Sequence, residues 1–193
     1  MKPNRPAQLV LTLLLFLLGT PSFGDFLKEG ETIPKVKLPT FKGKKIDVNG
    51  YAKAQGKRNL LLIFYRTGTC NVCVTQLREL ASQQGKVREY NAAMLAVSLD
   101  DAIVQSRTSE QIAGKIPILL DPGAKTVKAF GVLHPQESLS RPSLYVVGPD
   151  QKVLYKYVGM ALADRPPTQE VLEVLRHYSG LTPTKSGVAK SGK

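Results

Sequence analysis

"NLLLIFYRTGTCNVCVTQL", Asn59 to Leu77, carries the reading of the fold. From Leu60 to Tyr65 the run is continuously apolar. A short run with no polar alternation fits a strand buried on both faces, as in a parallel sheet. The second half holds Cys70 and Cys73, the only two cysteines of the chain. It leads into a helical pattern in which Cys73, Leu77, Leu80, Ala81 and Gln84 share one face, with Arg78, Glu79 and Gln83 turned away. This predicts an amphipathic helix of about four turns, ending near Gly85. The Cys-x-x-Cys pair therefore falls where a buried strand gives way to a helix.

That position has chemical consequences. The first turn of a helix leaves amide N–H groups unpaired and carries partial positive charge. A thiolate there is stabilised, its pKa falls, and the reactive fraction near neutral pH rises. With two residues between them, the second sulfur can reach the first and displace a mixed disulfide. Two other readings remain. A passive staple gains little, since closing a four-residue loop is worth only about 2 kcal/mol. A zinc site needs two further ligands, and the only histidines are His134 and His177. Redox chemistry is the favoured reading.

Further along, "AMLAVSL" (Ala93 to Leu99) reads as a second buried strand. Asp100 or Asp101 can cap a helix through about Ile112. "IPILLD" (Ile116 to Asp121) is a short third strand, and "GAKTVKAFGV" a short helix stopped by Gly131. "SLYVVGPDQKVLYKYVG" reads as a β-hairpin turning at Gly148 to Gln151. Pro166-Pro167-Thr168 opens a last helix, with Val171, Leu172, Val174, Leu175 and Tyr178 as its apolar stripe. Before the decisive stretch, Asp25 to Asn49 alternates extended pieces with Pro34, Pro39 and Gly43, which predicts short edge-like strands. Strand–helix–strand units pair in parallel, and the late hairpin adds antiparallel strands. The expected fold is α/β: a thioredoxin-like mixed central sheet flanked by helices, with an N-terminal β extension.

The chain has 193 residues, enough for one domain with a real core. Residues 1–24 read as a signal peptide. Lys2 and Arg5 precede an apolar run from Leu9 to Leu18, and Ser22 and Gly24 are small residues before a cut after Gly24. The run is short for a bilayer of about 30 Å. The expected domain is 25–180, followed by a basic disordered tail, 181–193. This predicts an exported protein of the bacterial periplasm or cell envelope, with an uncleaved, membrane-anchoring signal as the alternative. The net charge is +12. The basic residues are dispersed and do not interleave with aromatics, so they read as a solvated surface and not as a nucleic-acid platform.

Several segments together resemble the redoxins of the thioredoxin superfamily, meaning the AhpC/TSA peroxiredoxins and their thioredoxin-like relatives. "GETIPKVKLPTFKGKKIDV" is similar to their opening and "LLLIFYRTGTCNVC" to their catalytic strand and loop. "LLDPGAKTVKAFGV" and "RPSLYVVGPDQKVLYKYVG" are similar to their Asp-Pro segment and closing hairpin. The resemblance covers about Phe26 to Tyr178. It implies that Cys70 and Cys73 are the catalytic pair and form a redox-active disulfide. It also implies that Pro142 is a cis-proline facing them, with Arg141 presenting its backbone to an extended substrate. Arg141 is also one position early for the peroxiredoxin arginine. Arg66, between strand and cysteines, is a candidate cation for a thiol. The peroxidase pattern Pro-x-x-x-Thr-x-x-Cys puts Arg66 at the proline, Cys70 at the threonine and Cys73 at the attacking cysteine. Thioredoxin logic makes Cys70 the attacker instead, and the two replacements favour Cys70.

The expected function is thus an exported thiol–disulfide oxidoreductase or antioxidant protein. It reduces protein disulfides or hydroperoxides, takes its electrons from an upstream thiol reductant, and needs no cofactor or metal. Neither nucleic acid nor stable membrane insertion belongs to this expectation. The alternative is a Sco-like copper chaperone of the same fold, with Cys70, Cys73 and His134 holding Cu(I).

Overall fold

A computed structural model describes residues 25–181. The expected signal peptide and all but the first residue of the expected tail lie outside them. Strand β3 (Asn59–Phe64) is the centre of a five-stranded sheet of order β5–β4–β3–β6–β7. Its neighbours are β4 (Ala92–Ser98), parallel, and β6 (Ser143–Val147), antiparallel. The edges are β5 (Ile118–Leu120), parallel to β4, and β7 (Val153–Val158), antiparallel to β6. A separate two-stranded ribbon joins β1 (Lys37–Pro39) to β2 (Lys45–Asp47). The sequence expectation of a mixed α/β sheet holds.

The missing polar alternation in β3 now has its cause. Leu61 and Ile63 pack into one core with Leu77 and Leu80 of α2 (Asn71–Ser82) and Leu172 and Leu175 of α6 (Thr168–Tyr178). Leu60, Leu62 and Phe64 pack into the opposite core with Val48 and Ala52 of α1 (Val48–Ala54) and Val127 of α5 (Lys125–Ala129). Successive side chains point to opposite faces, and both faces are roofed by helices, so the residues from Leu60 to Phe64 are all apolar. Phe64, Phe130 and Tyr145 meet in the second core with ring centroids 4.9 to 5.9 Å apart.

Three local expectations change. The helix after the cysteines does not end near Gly85. It breaks at Gln83, whose φ of −90° and ψ of 10° cap α2, and a second helix, α3 (Gln84–Glu89), carries Gly85 inside it. The break lets Val87 reach the core fully buried. Residues 48–54, read partly as extended, form α1, capped by Asp47, which accepts the amide of Asn49. Of the two candidate caps for α4 (Ala102–Gln111), Asp101 serves, accepting the amides of Ile103 and Val104 at 2.9 Å. Asp100 is thereby free for another task.

Candidate active site

Strand β3 delivers the chain to a short loop, and Cys70 ends that loop as the N-cap of α2, with φ −90° and ψ 109°. The Cys70 Sγ occupies the place of a capping oxygen and accepts the amide of Cys73 at 3.3 Å. Its own amide donates to the carbonyl of Thr67 at 3.2 Å. Cys70 is half-buried, whereas Cys73, one turn on, is fully buried against Tyr65 and Leu77. Both are free thiols.

The loop before Cys70 is clamped. Asp100 accepts the Thr67 hydroxyl at 2.7 Å and the Gly68 amide at 2.8 Å, and also the Ser98 hydroxyl at 3.0 Å. Gly68 lies hard against α4. A Cβ there would stand 1.9 Å from the Thr108 Oγ1 and 3.0 Å from a Val104 methyl. Gly68→Ala must therefore push the cysteine loop off α4. Overpacking of this kind costs about 1–3 kcal/mol. Denaturant unfolding should show that loss together with slower alkylation or oxidation kinetics at Cys70. Unchanged stability would mean that the loop yields freely.

A second element closes on Cys73 from the far end of the chain. Arg165 Nη2 donates to Cys73 Sγ at 3.1 Å, and its Nη1 donates to the Gln76 Oε1 at 2.8 Å. Burial pushes the Cys73 thiol up from its ordinary value, and the hydrogen bond with Cys70 adds to that. The Thr67 backbone and the positive charge of Arg165 oppose the rise. The loop from Gly159 to Arg165 is fixed at both ends. The Gly159 amide donates to the Pro142 carbonyl at 2.8 Å, and Asp164 accepts the Tyr157 hydroxyl and, at 2.8 Å, the Met160 amide. A Cβ on Gly159 would come within 2.2 Å of the Asp164 carbonyl oxygen. Arg165 has no motif of its own. Its one signal is Pro166-Pro167 behind it, which holds a pre-proline residue extended at the mouth of α6.

The supporting residues expected from the sequence gather elsewhere. Arg66, Arg141 and Pro142 line a recess of about 250 Å³ with His134, Glu137 and residues Gly159 to Leu162, and neither cysteine lines it. The Arg66 guanidinium is ion-paired with Glu137, so the cation that meets a thiol is Arg165 instead. Pro142 corrects an expectation outright: the Arg141–Pro142 bond is trans, and no cis bond occurs among the described residues. Trans is the lower-energy form by roughly 0.5–1 kcal/mol. The local bonds accommodate it, since the Arg141 carbonyl accepts the hydroxyls of Ser140 at 3.0 Å and Ser143 at 3.1 Å. Among the described residues no three His, Cys, Asp or Glu side chains form a metal-holding group. The copper reading's His134 instead lies 4.0 Å from Glu137.

Residues 30–156 match the model of the AhpC/TSA family. The chain belongs to the AhpC/TSA family. This AhpC/TSA protein is 29% identical over 140 residues to Peroxiredoxin 1 of Brugia malayi, covering 65% of the chain and 60% of that relative. It is 27% identical over 169 residues to the thiol-disulfide oxidoreductase ResA of Bacillus thuringiensis subsp. konkukian, covering 82% of the chain and 91% of the relative. Among solved structures, Peroxidoxin BcpB of Mycobacterium tuberculosis matches with a TM-score of 0.67 and 20% identity over 78% of the chain and 97% of its own. A peroxiredoxin-like protein of Aquifex aeolicus matches with a TM-score of 0.70 and 19% identity over 81% and 90%. These two show the shared fold. The sequence relatives indicate a thiol-dependent oxidoreductase. Among the described residues no helix is long and apolar enough to cross a membrane.

Proposed function

We propose that this AhpC/TSA protein is an exported thiol–disulfide oxidoreductase in which Cys70 attacks the substrate and Cys73 resolves. One observation carries the order of attack: Cys70 is the half-buried cap of α2, while Cys73 is buried behind it. A thiolate on Cys70 keeps the Cys73 amide as donor and gains the positive end of the helix. It attacks one sulfur of a substrate disulfide, and the other substrate sulfur leaves as a thiolate. Cys73 then loses its proton and attacks Cys70 Sγ, releasing the second substrate thiol and leaving a Cys70–Cys73 disulfide. Two electrons pass to the substrate, and an upstream dithiol returns them. Arg165 favours the anion that Cys73 must become for the second step.

Arg165 also supports a second reading. A cation beside a cysteine suits peroxide reduction, in which the Cys73 thiolate attacks the peroxide oxygen and an alcohol or water leaves. The resulting sulfenic acid then condenses with the Cys70 thiol, releasing water. Export rests on the leader sequence of residues 1–24.

The deciding experiment offers the reduced protein insulin and, separately, hydrogen peroxide, with a sulfenic-acid trap read by mass spectrometry. Insulin reduction without trapped sulfenic acid is the expected result. Rapid trapping at Cys73 with insulin left intact would replace the first reading by the second.

A further inference from the structure

We propose that the recess beside the dithiol reads an acidic side chain flanking the substrate's cysteine, with Arg141 as the cation that meets it. This rests on the disulfide-reductase reading and specifies its substrate class. The recess and the thiols share a wall. The Gly159–Arg165 loop is bonded at its start to Pro142, in the recess, and at its end to Cys73. The register of β6 on β3 pairs Ser143 with Phe64. Arg66 and Arg141, each just beyond the end of its paired strand, line the same recess. A polypeptide whose disulfide reaches Cys70 therefore has a neighbouring side chain within reach of the recess.

The charges in the recess are unbalanced. Glu137 neutralises Arg66, and the His134 ring also faces Glu137. Arg141 has no ion pair among the described residues, and its guanidinium meets only the Met160 sulfur, at 4.0 Å. A planar guanidinium held at a rim, with its fork of donors unused, matches a carboxylate in two parallel hydrogen bonds. The surroundings are apolar. Met160 is 62% exposed and Leu162 47%, both on the shared wall, and Val72, between the two cysteines, is 40% exposed. Among the described residues, Ile103 and Leu181 are the other exposed large apolar side chains. The occupant that fits is an extended peptide segment with one acidic residue beside an apolar one, next to the disulfide. The net charge of +12 attracts such a segment from a distance.

The test uses disulfide-linked peptides that differ in one residue beside the cysteine (Asp, Asn or Lys), with neutral hydroxyethyl disulfide as a small substrate. The wild-type protein should show a KM for the Asp peptide about tenfold below that for the Lys peptide, with similar kcat. The gap should narrow in about 1 M salt. Arg141→Gln should bring the two KM values together, and Arg141→Lys should restore part of the gap. Equal KM values in the wild type, or a gap that survives Arg141→Gln, would overturn the inference. Reduction of hydroxyethyl disulfide reports the chemistry alone. If that fails, the disulfide-reductase reading falls, and the inference falls with it.

Discussion

Replacing Cys70 with serine will abolish disulfide reduction, by about 10³-fold or more. Replacing Cys73 with serine will leave a protein that reacts once and then stalls as a mixed disulfide. The two variants differ because the two sulfurs differ in place. Serine at 70 can still cap α2, since hydroxyls are good caps, so the fold is retained while the proposed nucleophile is lost. Serine at 73 leaves Cys70 with its capping amide and its access, but nothing behind it to break the mixed disulfide. Intact-protein mass spectrometry after mixing with excess insulin should find the adduct in Cys73→Ser and none in Cys70→Ser. An adduct in Cys70→Ser, carried on Cys73, would reverse the assignment and turn attention to peroxide chemistry.

The next largest effect is expected at Arg165. It supplies the hydrogen bond from a cation to the buried Cys73 sulfur. A hydrogen bond to a charged group is worth about 1.5–3 kcal/mol, so Arg165→Gln should slow resolution roughly ten- to a hundredfold near neutral pH. The direction with pH follows from the thiol. Burial raises the Cys73 pKa and Arg165 lowers it, so the variant's thiol rises further. Its resolution rate should therefore climb with pH along a curve displaced to the alkaline side, and recover as pH rises. A purely structural role would depress the rate equally at every pH. Single-turnover decay of the mixed disulfide across the neutral-to-alkaline range separates the two. The same raised pKa bears on folding. The folded chain holds the Cys73 proton more tightly, so its stabilisation is complete below the ordinary thiol value of 9.0. It is lost as pH climbs through the raised one.

Much of this could be read along the chain, where the signal was local. Asn59 to Tyr65 announced a strand covered on both faces, and the cores on either side of β3 supply the two roofs. The junction of that strand with a helix was equally plain, and so was the placing of Cys70 at its start. The errors came where a local pattern had to be weighed against distant packing. Leu80 to Gln84 continues a helical face, yet the chain bends at Gln83 so that Val87 can enter the core. Pro142 stands at the place a resemblance gives to a cis-proline, but its bond is trans. Arg165 is separated from Cys73 by 92 positions and sits in a loop outside every helix and strand. Only the sheet, with Pro142 bonded to Gly159 across β6 and β7, brings that loop over the thiols. Asp100 was one of two equivalent carboxylates on paper, and its neighbour took the helix cap and left it to the cysteine loop.

Cys70 does two jobs with one sulfur atom. It is the proposed reactive group and also the acceptor that holds the first turn of α2. A thiolate accepts a hydrogen bond more strongly than a disulfide sulfur does. In the proposed redox pair, oxidation would therefore weaken the start of the helix, and a change that strengthens this hydrogen bond in the dithiol alone would shift the balance toward the dithiol. The reducing power of the proposed pair would in this way be coupled to the helix it begins. Under the proposed chemistry, Asn71 and Val72, in the first turn of α2, would then be adjustment points for the potential of the pair.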